Sequence, residues 1–355
     1  MKILFTHCWQ TGNTGDVAIW KSMISHLKSA FPDITLTICS QRSEEWDINQ
    51  LSEVTKTTVV PLLSPEALKE ADVVINQGGG YMNGQSMKNH FAYMQAAQLS
   101  GKPTFFGSQT FIGKLDEGTK ELGRNIFNNA NLVIAREEES YKFITEYVGA
   151  EGPQIKLLPD GVFTVKAKTY ANPIPQNAVK IGIRGYLATM EFLKEIAKFA
   201  DMAAEALGPI VFIPVGNGER NDVEQARKIA EMMNHESIVI DSKPDAGEII
   251  DIVKDGILIS DRYHGIVYSA SACTPFVPLT PDIGHKMPGL LKMIDYPLKR
   301  ILQTRTTTAK EIFEYAVDVW KSKEEIRNGL ERTIPKIKRQ AELVYKYIIE
   351  EIKKE

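Results

Sequence analysis

Short runs of β-branched and aliphatic residues alternate along this chain with longer stretches whose apolar positions recur every three to four residues. The first run covers residues 2–9 and gives way to a polar, glycine-bearing loop at 10–16. Beyond it, Val17, Trp20, Ile24, Leu27 and Phe31 share one face of a helix. Further strands are predicted at 34–39, 58–62, 72–76, 104–106, 132–135 and 155–158, with helical patterns between most of them. Alternation of this kind predicts parallel sheets joined by crossover helices.

The pattern breaks at 169–177, where two prolines among polar residues read as a linker. It then restarts, with strands at 179–183, 210–214, 237–240 and 257–260 and helices near 190–207, 221–233 and 246–254. The fold class is therefore α/β, with two Rossmann-like, doubly wound domains over residues 1–170 and 178–335. By analogy with the GT-B architecture of nucleotide-sugar glycosyltransferases, the two domains are expected to face each other across a cleft. After residue 309 the chain becomes helical and highly charged, and Ile337, Leu343, Tyr347 and Ile348 form an apolar stripe. Residues 336–355 are expected to form a C-terminal helix; in GT-B proteins such a helix often crosses back to the first domain.

Composition narrows the function. The 355 residues are 43% apolar and 25% charged, enough for a sizeable core in each half. A net charge of -3 offers no global field for nucleic acid, so an anionic ligand must be met by local cations or helix ends. Cys8, Cys39 and Cys273 lie far apart without a CxxC pair, which argues against a disulfide framework or a structural zinc site. A cytoplasmic location is the simple expectation. The apolar run at residues 1–5 is too short for a signal peptide, and no stretch reaches the roughly 18 apolar residues of a membrane span.

Three segments carry candidate chemistry. The first is Thr11-Gly12-Asn13-Thr14-Gly15-Asp16, ahead of a helix. Glycines let backbone N–H groups approach an anion, and a helix N-terminus favours negative charge. The spacing is not that of a dinucleotide site, and Asp16 is either a helix-start residue or a base near a substrate hydroxyl. The second is Gln77-Gly78-Gly79-Gly80-Tyr81, read either as a tight turn or as a ligand crevice at a strand's carboxyl end. The third is Asp261-Arg262-Tyr263-His264-Gly265, where the 257–260 strand turns into a helix of small residues. Arginine offers a planar fork for carboxylate or phosphate, and a histidine exchanges protons near neutrality. Arg136, Arg184 and Lys286 are loop cations that suit either an anion or bulk solvent. His7, His26, His90 and His235 have no metal-ligand spacing and read as structural or surface residues.

Together these segments resemble the polysaccharide pyruvyl transferase family. The resemblance rests on Gly12 through Asp16, Asp72 through Gly80, Arg136 with Ser140, Pro159-Asp160 before Phe163, Ser260 through Gly265 with Pro275, and Lys286. Tyr263 stands where the family usually has an aliphatic residue, and Val17 where Glu is common. The resemblance implies a GT-B-like fold, phosphoenolpyruvate as donor, and a pyruvyl ketal formed on a sugar of a cell-surface polysaccharide or its precursor. On it Arg262 and Lys286 clamp the donor's anionic groups, with Arg136 and Arg184 as further members. His264 is the general acid, and Asp16 the base or hydroxyl-orienting group. Asn13 contacts the sugar, and Gly15, Gly78, Gly79 and Gly80 shape the acceptor side. No cofactor or metal is implied, and a lipid-linked acceptor would allow peripheral membrane contact. Two rival readings share the fold: a GT-B glycosyltransferase with a nucleotide-sugar donor, and a non-catalytic anion-binding protein. The sequence does not set the oligomeric state.

Overall fold

The computed structural model describes residues 1–8, 12–40, 56–61, 64–184, 188–216, 222–281, 284, 286–297 and 300–355. The side chains of His7, Lys56, Thr57, Pro61, Tyr81, Gln85 and Ser86 fall outside that description. Trp9 at the end of the predicted first strand, Gln10 and Thr11 of the predicted first loop and the end of the predicted 58–62 strand also lie outside it. The chain divides into two compact units, the first of Met1–Thr11, Asp16–Thr164 and Lys338–Glu355, the second of Gly12–Gly15 and Val165–Ile337.

The first unit opens with β1 (Lys2–Cys8), α1 (Thr14–Ala30, its first two residues counted with the second unit), β2 (Thr35–Ser40) and β3 (Lys56–Pro61). It continues through α2 (Pro65–Glu70), β4 (Val73–Asn76), β5 (Gly79–Asn83), α3 (Gly84–Leu99) and β6 (Thr104–Ile112). It ends with α4 (Glu117–Asn129), β7 (Leu132–Ala135), α5 (Glu138–Lys142) and β8 (Ile155–Leu157). The sheet order is β3-β2-β1-β4-β6-β7-β8, with β5 paired to β6. Every pairing is parallel.

Both faces of this sheet are covered, as the apolar runs require. Leu4, Val74, Phe106 and Val133 pack with Phe91 and Phe127 of α3 and α4. The intervening Ile3, Phe5, Ile75, Phe105 and Ile134 pack with Trp20, Ile24 and Leu27 of α1 and with Tyr345 and Ile348 near the C-terminus. Alternate residues of each strand thus feed opposite layers, the signature of a doubly wound unit.

The Gln77–Gly80 run is not a βα turn. The strand resumes as β5, which pairs with the far half of β6 through Gly79↔Gln109 and Met82↔Phe111. Sequence alone sees only 104–106 of that nine-residue strand, because its middle, Gly107–Thr110, is glycine and polar residues. The interruption is tight: a Cβ on Gly78 would sit 2.8 Å from the Ser108 carbonyl oxygen, and one on Gly107 2.8 Å from the Gly78 nitrogen.

The second unit holds β9 (Val179–Gly182), α6 (Met190–Ala206), β10 (Ile210–Phe212), α7 (Asp222–Met232), β11 (Ser237–Val239) and α8 (Ala246–Ile252). It goes on through β12 (Ile257–Ser260), α9 (Tyr263–Ser271), β13 (Phe276–Thr280), α10 (Lys286–Met293), β14 (Leu302–Gln303) and α11 (Ala309–Lys321). The strand order is β11-β10-β9-β12-β13-β14, all parallel, which is the 3-2-1-4-5-6 order of dinucleotide-binding sheets. Reciprocal capping boxes, Asp245 with Glu248 and Thr308 with Glu311, start α8 and α11.

The stretch read as a linker is fastened to this unit. The Lys168 N–H donates to the Gly247 carbonyl at 3.0 Å, the Tyr170 N–H to Asp251 at 2.9 Å and the Asn177 N–H to Asp255 at 2.6 Å. Helix α12 (Lys323–Ile352) runs through Pro335, and its residues from Lys338 onward belong to the first unit. No helix among the described residues is long and apolar enough to cross a membrane.

Candidate functional site

In an open α/β sheet the ligand crevice lies at the strands' carboxyl ends, where the strand order reverses. In the second unit that place falls between β9 and β12. The Ser260 hydroxyl ends β12 by donating to the Gly182 carbonyl of β9 at 2.6 Å and accepting the Arg262 N–H at 3.1 Å. A Cβ on Gly265 would lie 2.8 Å from that hydroxyl, so glycine is required for the turn to close over it.

Asp261 and Arg262 leave this turn into buried polar contacts. Asp261 accepts the Arg184 N–H at 2.7 Å, and Arg184 Nη2 donates to the Asp261 carbonyl at 3.1 Å. Burial raises the Asp261 carboxyl above its ordinary range, against the pull of Arg184 and Arg262. The Arg262 guanidinium grips Asp222, with Nε 3.0 Å from Oδ2 and Nη2 donating to Oδ1. Asp222 Oδ2 also accepts the N–H groups of Val215 at 3.1 Å and Gly216 at 2.7 Å. Arg184 with Asp261, and Arg262 with Asp222, thus form the polar base of the turn.

His264 sits above that base in the first turn of α9, buried, with its ring against Gly15. A Cβ at position 15 would lie 1.9 Å from His264 Nδ1, so only glycine fits beneath the imidazole. The Gly12–Gly15 segment is held there by three anchors. Asn13 forms an antiparallel bridge with Gly216, and the Thr14 N–H and hydroxyl both reach the Val215 carbonyl, at 3.2 and 3.0 Å. The Tyr268 hydroxyl of α9 donates to the Thr14 hydroxyl at 3.2 Å. The Asn13 side-chain oxygen accepts the Gly15 N–H at 3.1 Å, the geometry of an N-cap for α1.

Lys286 opens α10, with Nζ 5.8 Å from the Tyr263 ring centroid. The Tyr263 ring meets His264 edge-on at 5.3 Å. Within the second unit, Asn13, Gly15, Arg184, Arg262, His264 and Lys286 are therefore joined through direct contacts or one shared neighbour.

The remaining candidates belong to the first unit. Asp16 is buried in the first turn of α1. The neighbouring Cys8 thiol is pushed up, first by burial and then by Cys39 and Asp16. Cys8 donates to Gln77 at 3.0 Å, just ahead of the glycine run. Arg136 differs from its expected role as a loop cation. It is 1% exposed, with Nη1 donating to Asp160 at 2.7 Å, Nε donating to Thr110 at 2.6 Å, and Glu137 at 3.4 Å. The pair with Asp160 holds this guanidinium within the first unit.

Sequence reasoning passed over Asp222, Tyr268 and Glu137. Asp222 carried a usable signal. It is an acidic residue opening a helix after a strand, the same placement that singled out Asp16.

The fold defines an α/β protein of the type found in sugar-nucleotide transferases and epimerases. The chain matches UDP-GlcNAc 2-epimerase from Neisseria meningitidis at 12% identity, with a TM-score of 0.65 over 99% of this chain and 100% of that one. A glycosyltransferase from Rickettsia africae matches at 11% identity and a TM-score of 0.61, over 98% of both chains. The calicheamicin glycosyltransferase CalG4 matches at 12% and 0.61, over 99% of this chain and 97% of that one. No curated protein matches the sequence. The family is set by the sequence profile, which matches over residues 13–283, from Asn13 to the end of β13 and beyond: the chain belongs to the polysaccharide pyruvyl transferase family and is a transferase.

Proposed function

We propose that this transferase moves the pyruvyl group of phosphoenolpyruvate onto a sugar of a cell-envelope polysaccharide or its precursor, as a cyclic ketal. Family membership supports the group transferred. The observation that carries the site is the set of His264, Arg262 and Lys286 around one strand-to-helix turn, with Gly15 flush against the imidazole.

The chemistry follows from the donor. Its methylene carbon takes a proton, and the electron pair of the double bond forms the new C–H bond. The central carbon becomes oxocarbenium-like, and a sugar hydroxyl adds to it while losing its own proton to a base. Phosphate departs with the electrons of its C–O bond, and a second hydroxyl adds to the same carbon, giving its proton to the departing phosphate, to close the ketal. His264 supplies the first proton. Lys286 and Arg262 hold the donor's carboxylate and phosphate and stabilise the charge on the leaving group. Arg184 contributes by fixing Asp261 beside Arg262. Asp16, next in the chain to Gly15, takes the hydroxyl proton or orients that hydroxyl, and Asn13 and Gly15 shape the sugar side. These steps use no cofactor, and they place the reaction where phosphoenolpyruvate is made, in the cytoplasm.

Calorimetric titration tests the donor. Phosphoenolpyruvate should bind the wild-type protein, and Lys286→Ala should weaken it about tenfold or more, the ~1.4 kcal/mol of one charge-assisted contact. Binding of a UDP-sugar without any binding of phosphoenolpyruvate would contradict the reading.

A further inference from the structure

We infer that Asp222 is the positioning residue for Arg262, setting the guanidinium plane on which donor binding depends. The inference rests on the reading above that Arg262 holds the donor's anionic groups.

Asp222 stands at the start of α7, is 2% exposed, and gathers four N–H donors on one carboxylate. Two come from the backbone of Val215 and Gly216, which fix the carboxylate to the segment that follows β10. The other two are Nε and Nη2 of Arg262, whose own residue is 5% exposed. A guanidinium held along one edge by a carboxylate that cannot itself turn has its plane fixed before any ligand arrives. The same Val215–Gly216 segment carries the bridge to Asn13 and the hydrogen bonds to Thr14. One carboxylate therefore sets Arg262 directly and the backbone beside Gly15 and His264 through one peptide. The added backbone donors make this pair a rigid mount.

The test is calorimetric titration of phosphoenolpyruvate into the full-length wild type, Asp222→Asn, Asp222→Glu, Arg262→Met and the Asp222→Asn/Arg262→Met double variant. Circular dichroism reports the folded fraction of each. Asp222→Asn should weaken binding about tenfold or more, and Asp222→Glu should recover part of that loss, since it keeps the charge. In the Arg262→Met background, Asp222→Asn should add less than about twofold, because both act through one group. The double variant removes both charges and remains readable if a single variant fails to fold. Folded Asp222→Asn that binds like wild type while Arg262→Met is weakened overturns the positioning role alone. Folded Arg262→Met that binds like wild type overturns the donor reading of Arg262 and the inference with it.

Discussion

At the residue scale the site turns on Gly15. An imidazole 1.9 Å from where a Cβ would stand leaves no room for alanine, and the ring must swing on its χ angles to admit it. Alanine is the better helix former, by ~1 kcal/mol, and this offsets part of an overpacking cost of about 1–3 kcal/mol. Gly15→Ala should therefore lower the melting temperature and, on the proposed mechanism, lose about a hundredfold in kcat, because the His264 ring is displaced. Steady-state kinetics beside a melting curve checks this, and an unchanged kcat would mean that the orientation of His264 is immaterial. Arg136 gives the opposite pattern. Removing one partner of a buried pair costs roughly 3–5 kcal/mol, so Asp160→Asn should lower the urea midpoint sharply, with little change in phosphoenolpyruvate affinity of the folded protein.

At the scale of elements, much was legible beforehand. β7 and β12 match their predicted ranges because each is a short apolar run bounded by polar residues. The far half of β6 was not legible. It carries Ser108, Gln109 and Thr110, whose side chains donate to long-range partners, such as the Pro159 carbonyl for Ser108, that no local pattern reveals. β5 escaped notice for a related reason, since a strand opening on two glycines reads as a turn. The candidate site divides the same way. Arg262 and His264 stood out as a chemical pair at a strand end. The partner that holds Arg262 comes from 40 residues earlier in the chain and becomes visible only when β10 and β12 flank β9. At this scale the narrow passage at Gly78 yields a check. Gly78→Ala presses a methyl onto the Ser108 carbonyl and should destabilise the protein by about 1–3 kcal/mol, measured by urea unfolding.

At the scale of the whole molecule, two buried bases shape stability against pH. Burial lowers His90 to about 4. Above its unfolded value of about 6.5 the residue is neutral in both states. As pH falls from there to about 4, only the unfolded chain takes up the proton, so up to roughly 3 kcal/mol of stability is lost. His90→Gln should flatten this slope between pH 6.5 and 4.5. Burial also lowers Lys180 to about 8, where its ammonium caps the Lys254 and Asp255 carbonyls. Between about 8 and 10.5 the unfolded chain holds the extra proton, so stability rises with pH across that window. Lys180→Met should abolish the rise, read from urea midpoints between pH 8 and 9.5.

The central claim is pyruvyl transfer with His264 as the acid. It is tested most directly by mixing the protein with phosphoenolpyruvate and a panel of simple, nucleotide-linked and lipid-linked sugars, and measuring phosphate release beside His264→Ala. The account predicts release that depends on one class of acceptor and disappears in the variant. Release that persists in folded His264→Ala at the wild-type rate would contradict it.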